Sequence, residues 1–386
     1  MRTIGVVSVA RSDYSIYLPV LRAIQANPDL DLYLIASGMH LSPEFGNTVQ
    51  VIEADGFPIQ ERVEFTLSSN TAEGIGKSLG LGVIGFAQVF GRFQPDILLV
   101  LGDRYEMFAA ACASLPFNIP LAHLHGGELT FGAMDESIRH AITKLSHLHF
   151  TSTEAYAQNV IRMGEEPWRV TVSGAPALDN MAAIPLLDKK QLEAQFGLDL
   201  AAPPLLVTFH PVTREVEQTG VYFNELLAAL DTLGLPVVFT YPNADAQGRT
   251  IIQRIEAYVQ SRPQAQVVAN FSTQGYYSML NAALAMVGNS SSGIIEAASF
   301  TLPVVNIGNR QQGRLHGENV VHSAPERSAI IQAVEMVTQL EFKAALQGMV
   351  NPYGDGKAAE KIVSVLVNTE INVALIAKRF YRDGQS

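Results

Sequence analysis

Short apolar runs recur along the chain, each stopped by polar or glycine-rich residues. In the first half they are Thr3 to Val9, Leu30 to Ala36, Ile97 to Leu101, Leu121 to Leu124, Leu148 to Thr151 and Val170 to Ser173. Unbroken stretches of β-branched residues and Leu, four to eight long, predict strands buried on both faces. A more polar stretch, 177 to 203, follows; it reads as a helix pair and linker punctuated by Pro185, Pro203 and Pro204. The pattern then restarts at Leu205 to Phe209, Pro236 to Thr240, Gln266 to Ala269, Ala282 to Val287 and Pro303 to Ile307. Two successive strand–helix series with short loops predict an α/β chain of two Rossmann-like doubly wound domains in tandem. The expected division is 1–175 for the first domain, 176–203 for linker helices, 204–365 for the second, and a terminal helix over 366–386 packing back on the first. Glu360 to Phe380 reads as helix with little break.

Composition narrows the function more than the fold. The 386 residues are 48% hydrophobic and only 16% charged, which implies a large buried fraction and a subunit interface, so a homodimer or homotetramer is expected. A net charge of −11 gives no basic surface for nucleic acid or for an anionic membrane. The single cysteine, Cys112, excludes an intrachain disulfide framework and a cysteine-built metal site, and its alanine-rich surroundings predict a buried thiol. Arg11, Ser12 and Asp13 interrupt the first apolar run too early for a signal peptide, and no 18-residue window is uninterruptedly apolar. A cytoplasmic protein is expected.

Candidate chemistry collects where the strands stop, which in doubly wound sheets is where ligands bind. Ile97 to Leu101 ends at Gly102-Asp103-Arg104; Leu121 to Leu124 ends at His125-Gly126-Gly127-Glu128; Asp135 opens the helix that follows. These supply candidate acids and bases. His123 and His125 alternate on a strand and so would share a face, but apart from Glu128 no third ligand at diagnostic spacing accompanies them, and no metal is expected. In the second half, Gly288-Asn289-Ser290-Ser291-Ser292-Gly293 lies between a buried strand and an apolar helix, a turn whose N–H groups suit phosphate, with Gly293 allowing close approach. Glu296, one turn on, would repel phosphate and suits ribose hydroxyls. His210, Asn243 and Arg310 end neighbouring strands, and Arg310, like Arg11 and Arg104 of the first half, could neutralise a diphosphate. Two lookalikes fail: G-x-G-x-x-G is absent, and Gly74-Ile75-Gly76-Lys77-Ser78 has Thr71 where a phosphate-binding loop needs its first glycine.

Taken in order, Arg11-Ser12-Asp13-Tyr14-Ser15, Gly102-Asp103-Arg104, His125-Gly126-Gly127-Glu128, Asp135-Glu136-Ser137-Ile138-Arg139-His140, His210-Pro211-Val212-Thr213, Pro242-Asn243, Gly288-Asn289-Ser290-Ser291 and Gly317-Glu318-Asn319-Val320 resemble the hydrolysing UDP-N-acetylglucosamine 2-epimerases of bacterial sialic and legionaminic acid biosynthesis. The resemblance covers nearly the whole chain. It implies the GT-B fold, UDP in an interdomain cleft and no cofactor. It implies that Arg11 and Ser15 contact the diphosphate, that Asp103 is catalytic with Arg104 beside it, and that Asp135 is a second catalytic acid once one extra residue near Phe131 is allowed. It implies His210 beside the phosphates, Asn243 near the nucleotide, Ser290 and Ser291 cradling phosphate, Glu296 on the ribose and Arg310 on the diphosphate. Several relatives carry a catalytic Glu where this chain has His125, so the base is His125 or Glu128, with Asp135 the third candidate.

The implied reaction makes physical sense of these groups. The sugar C2 proton is not acidic, so its removal must accompany loss of UDP from C1, which needs a positioned base and a clamp for the departing diphosphate. Elimination gives a 2-acetamidoglycal; water adds back to release the C2-inverted sugar. The expected substrate is UDP-GlcNAc, giving ManNAc, or else UDP-N,N′-diacetylbacillosamine. A non-hydrolysing epimerase, a GT-B glycosyltransferase and a non-enzymatic nucleotide-sugar sensor are the rivals.

Overall fold

The computed structural model describes the chain apart from residues 44–45, 68–70, 131–133, 212–216, 243–247, 270 and 383–386, and apart from the side chains of 182, 248 and 249. The chain divides into two compact units: Met1–Asn180 with Tyr353–Ser386, and Met181–Pro352.

The first unit holds strands β1 (Arg2–Ser8), β2 (Leu30–Ser37), β3 (Glu61–Val63), β4 (Ile97–Leu101), β5 (Leu121–Leu124), β6 (Leu148–Thr151) and β7 (Val170–Val172). They form one parallel sheet in the order β3-β2-β1-β4-β5-β6-β7. All five residues of β4 and all four of β5 are buried, as expected of strands covered on both faces. Each fully buried Val, Leu or Ile side chain contributes roughly 1.5–3 kcal/mol, so these runs dominate the unit's core. The order reverses between β1 and β4, and the crevice outside that switch point is where such a sheet places its ligand.

The second unit repeats the scheme with β8 (Leu205–Thr208), β9 (Val237–Thr240), β10 (Ala265–Val268), β11 (Ala285–Gly288), β12 (Val304–Ile307) and β13 (Val320–Ser323), all parallel in the order β10-β9-β8-β11-β12-β13. Its switch point lies between β8 and β11. Two Rossmann-like doubly wound sheets were expected, and two are found.

Several expectations need correction. The chain returns to the first unit at Tyr353, not at 366. The return is fixed by Ala175 N–H donating to the Tyr353 carbonyl at 2.7 Å, and by Asp179, whose carboxylate accepts from Ala358 N–H at 2.9 Å and Ala359 N–H at 2.6 Å. The helix expected over Glu360 to Phe380 is two: Ala358–Asn368, then Val373–Ile376, started by Asn372 Oδ1 accepting from Leu375 N–H at 3.0 Å. Asn and Thr at 368, 369 and 372 offer the backbone local partners and so interrupt the helix. Cys112 is half-buried rather than enclosed. The phosphate-loop lookalike at Gly74 lies inside the helix Ala72–Arg92. By length and composition that helix could cross a membrane; here it packs on the helix Tyr105–Ser114 and buries Phe86, Val89 and Phe90 in the core.

Candidate functional site

In the first unit, charged groups gather outside the carboxyl ends of β1, β4 and β5. Asp103 follows β4, and its Oδ2 accepts a charge-assisted hydrogen bond from Arg139 Nη2, delivered by the helix Met134–Leu145. Arg139 is 4% exposed, and its Nε and Nη1 have no hydrogen-bond partner among the described residues. A buried guanidinium with idle donors is costly in a purely structural role and useful beside an anion. Asp135 opens the same helix, half-buried; burial and the neighbouring Asp103 charge both raise its carboxyl above the usual range. Arg104 is engaged within the unit: its Nη2 lies 3.1 Å from Glu106 Oε1 and 3.0 Å from Met39 Sδ. Asp13, in the first turn after β1, is buried, with Oδ2 unpaired among the described residues. Burial pushes its carboxyl up to about 7, against the pull of Arg104. Arg11 and Ser15, on the same helix, are exposed, and Ser15 Oγ donates to the Arg11 carbonyl at 3.0 Å.

The loop after β5 departs from expectation. β5 ends at Leu124, and His125 has φ +62°, so the strand alternation that would put His123 and His125 on one face does not reach His125. His123 is wholly buried: Nε2 donates to the Gly102 carbonyl at 2.8 Å and Nδ1 lies 3.2 Å from Thr143 Oγ1, so both nitrogens are occupied. Burial lowers its pKa to about 3, and it stays neutral. His125 Nδ1 sits 2.6 Å from Glu128 Oε1, which also accepts from Ser152 Oγ at 2.8 Å. Gly127, at φ +77°, presses so close to the Tyr156 carbonyl that a Cβ there would lie 2.3 Å from its oxygen. Asn159 Nδ2 holds the Gly127 carbonyl at 2.9 Å.

In the second unit the strand ends are knitted by amides and hydroxyls. Gly288 ends β11 at φ +145°, where a Cβ would fall 1.9 Å from the Thr208 carbonyl oxygen; only glycine lets β11 approach β8 this closely. Asn289 is fully buried. Its Oδ1 accepts from His210 N–H at 2.7 Å, its Nδ2 donates to the His210 carbonyl at 2.9 Å, and its own carbonyl accepts from Arg310 Nη1 at 3.0 Å and Gln311 Nε2 at 2.9 Å. One amide thus ties together the ends of β8, β11 and β12. His210 is buried; burial, then the Arg310 charge, lowers its pKa to about 4, so it is neutral at pH 7. Ser290 caps the helix Ser291–Ile295, with Oγ accepting from Ser292 N–H at 3.3 Å, and Tyr276 OH donates to Ser292 Oγ at 2.9 Å. Ser291 opens that helix and Gly293 is buried within it. Glu296 follows, half-buried, its carboxyl raised by burial. Asn243 lies outside the described residues.

Sequence reasoning assembled each unit's strand-end groups but passed over Glu106 and Ser152, and quoted Asp13, Arg139 and Asn289 within motifs without giving them a role. The Asp135–Arg139 spacing, i and i+4 on one helix, could have flagged Arg139. Nothing local marks Asp13 as buried, because an acid in a first helical turn ordinarily faces water.

Two doubly wound parallel sheets, each with polar groups outside its switch point, define an α/β class built of two Rossmann-like units. The family profile described as UDP-N-acetylglucosamine 2-epimerase matches residues 22–367. The GDP/UDP-N,N′-diacetylbacillosamine 2-epimerase (hydrolyzing) of Campylobacter jejuni is 40% identical, covering 89% of each chain. The UDP-N,N′-diacetylbacillosamine 2-epimerase (hydrolyzing) of Legionella pneumophila is 36% identical, covering 98% of this chain and 99% of that one. The structure of UDP-GlcNAc 2-epimerase from Neisseria meningitidis bound to UDP-GlcNAc aligns with a TM-score of 0.81 over 96% of this chain and 100% of that one; at 19% identity this is a likeness of fold. The chain belongs to the UDP-N-acetylglucosamine 2-epimerase family, as its motifs led one to expect.

Proposed function

We propose that the protein is a hydrolysing UDP-sugar 2-epimerase whose substrate is UDP-N,N′-diacetylbacillosamine, with UDP-GlcNAc the second reading. The observation that supports the sugar choice is that relatives at 40% and 36% identity, covering 89% and 98% of this chain, are both named for N,N′-diacetylbacillosamine, the first as its GDP or UDP form and the second as its UDP form. Under this reading the first unit works on the sugar and the second holds the nucleotide. A base removes the C2 proton, the C2–H electrons form the C1=C2 bond, and the C1–O electrons leave with UDP. Water then adds its oxygen to C1 while a proton returns to the opposite face of C2. Asp103 and Asp135 are the acids for these transfers. Asp103 is tied to Arg139, while burial, then the neighbouring Asp103 charge, favours a protonated Asp135 and suits it to donate.

Arg310, His210 and the Ser290–Ser291 turn are the clamp for UDP, with Glu296 for ribose, Asn243 near the nucleotide, and Arg11 and Ser15 for the diphosphate. Because His210 is neutral at pH 7, it acts on phosphate as a hydrogen-bond donor while Arg310 supplies the charge. A cytoplasmic homodimer or homotetramer completes the reading, and analytical ultracentrifugation tests the assembly.

The test is incubation with each UDP-sugar in heavy water, followed by NMR. The expected result is release of the C2-inverted free sugar carrying one deuterium at C2, faster from UDP-N,N′-diacetylbacillosamine. Faster turnover of UDP-GlcNAc reverses the substrate choice. A product with protium at C2 removes the epimerase reading altogether.

A further inference from the structure

The loop after β5 carries a relay of three groups: Ser152 Oγ donates to Glu128 Oε1 at 2.8 Å, and His125 Nδ1 lies 2.6 Å from the same oxygen. Glu128 and Ser152 are buried, and the His125 side chain is 13% exposed. A carboxylate oxygen only accepts, so the neutral imidazole carries its proton on Nδ1 and its lone pair on Nε2. That Nε2 is buried and has no hydrogen-bond partner among the described residues. The backbone is set for this pose. His125 is held at φ +62° with its N–H on the Phe150 carbonyl at 3.0 Å. For a residue other than glycine that conformation costs about 1 kcal/mol or more, yet glycines occupy only the next two positions. Strain kept at a side chain, with relief spent on its neighbours, fixes where that side chain points. Glu128 is the weaker candidate for base, because its Oε1 already takes two donors.

We propose that His125, through Nε2, takes the C2 proton, and that Glu128, backed by Ser152, is the positioning pair that holds its tautomer. The proposal rests on the 2-epimerase reading above. Nε2 bonds to the departing proton as the C2–H electrons become the C1=C2 bond and the C1–O electrons leave with UDP. The imidazolium formed is stabilised by the Glu128 carboxylate without any proton passing to it.

The experiment compares His125→Gly, His125→Gln, Glu128→Gln and Ser152→Ala, with UDP binding as the check that each variant is folded. Both His125 variants should lose about a hundredfold or more in kcat. Added imidazole should restore part of the rate to His125→Gly, whose backbone suits φ +62°, and nothing to His125→Gln. Glu128→Gln should lower kcat about tenfold or more with KM little changed. Ser152→Ala should cost less than Glu128→Gln. A His125 variant within tenfold of wild type, or a His125→Gly loss that imidazole does not reverse, would overturn the assignment. Wild-type product retaining protium at C2 would instead remove the 2-epimerase reading, so the two failures are told apart.

Discussion

The carboxyl ends of the two sheets are built on one topology and finished in opposite ways. Outside β4 and β5 stand Asp103, His125 and Asp135, with Arg139 donors, His125 Nε2 and Asp13 Oδ2 lacking partners among the described residues. Outside β8 and β11, Asn289 makes a hydrogen bond through each of its side-chain polar atoms and takes two more at its carbonyl. Buried polar groups are nearly always satisfied, and exceptions cluster where a ligand or a reaction completes them. The first sheet therefore keeps several charged or titratable groups with unpaired atoms, while the second, where Glu296 Oε2 and Gln311 Oε1 are also unpaired among the described residues, ties its strand ends through Asn289. The units teach that one topology supplies mouths of different character, depending on whether an amide such as Asn289 ties the strand ends together or carboxyls and imidazoles are left to stand there.

The largest test of that contrast is Asp103→Asn. The amide oxygen still accepts from Arg139, so the unit should fold and UDP affinity should persist, while turnover falls about a thousandfold. Activity within tenfold of wild type would break the assignment of chemistry to the first sheet. On the other side, Asn289→Ala removes two buried hydrogen bonds to the His210 backbone and should cost about 2–4 kcal/mol of stability, read by denaturant unfolding. A cost below about 1 kcal/mol would mean the amide is no framework. Arg310→Ala removes one charge-assisted contact and should weaken UDP by roughly 1.5–3 kcal/mol in calorimetry, with kcat affected less than in Asp103→Asn. The smallest effect is pH-dependent. Burial raises Asp13 to about 7, so the native state keeps a proton that the unfolded chain gives up near pH 4. Stability from this group is whole below about pH 4 and is lost as pH climbs through 7. Asp13→Asn has no proton to shed and should be about 1–2 kcal/mol more stable than wild type at pH 8, with the gain shrinking towards pH 5. A gain that does not depend on pH would place the effect in packing instead.

The strands most legible in the sequence were those buried on both faces. Ile97–Leu101, Leu121–Leu124 and Leu148–Thr151 have the bounds that the runs of Leu, Val and Ile suggest. β3 and β13 were not foreseen: each is an edge strand, and Glu61-Arg62-Val63 offers one apolar residue for tertiary pairing to act on. Ala282, expected to begin a strand, ends the helix Thr273–Ala282, because alanine serves either state and the preceding turn decides. The candidate groups were legible as strand-end residues. Their partners were not, since Arg139 reaches Asp103 from a different element and Ser152 reaches Glu128 from the end of β6. The left-handed turn at His125 was invisible because it sits one residue before the glycines that mark such turns.

The return of the chain at Tyr353 has a consequence for synthesis. Arg2, on β1, donates from Nη1 to the Val367 carbonyl at 3.1 Å, and the helix Arg11–Ala26 packs on Ala358–Asn368. The roughly 200 residues after Asn180 take about 10–40 s to emerge from a ribosome. During that interval the second unit, whose residues are contiguous, can finish folding while the first waits with the apolar side of its opening helix uncovered. Of the two units, the one begun first is thus the one completed second, and a chain cut short before Tyr353 would leave the first unit open to chaperones and proteases however well the second had folded.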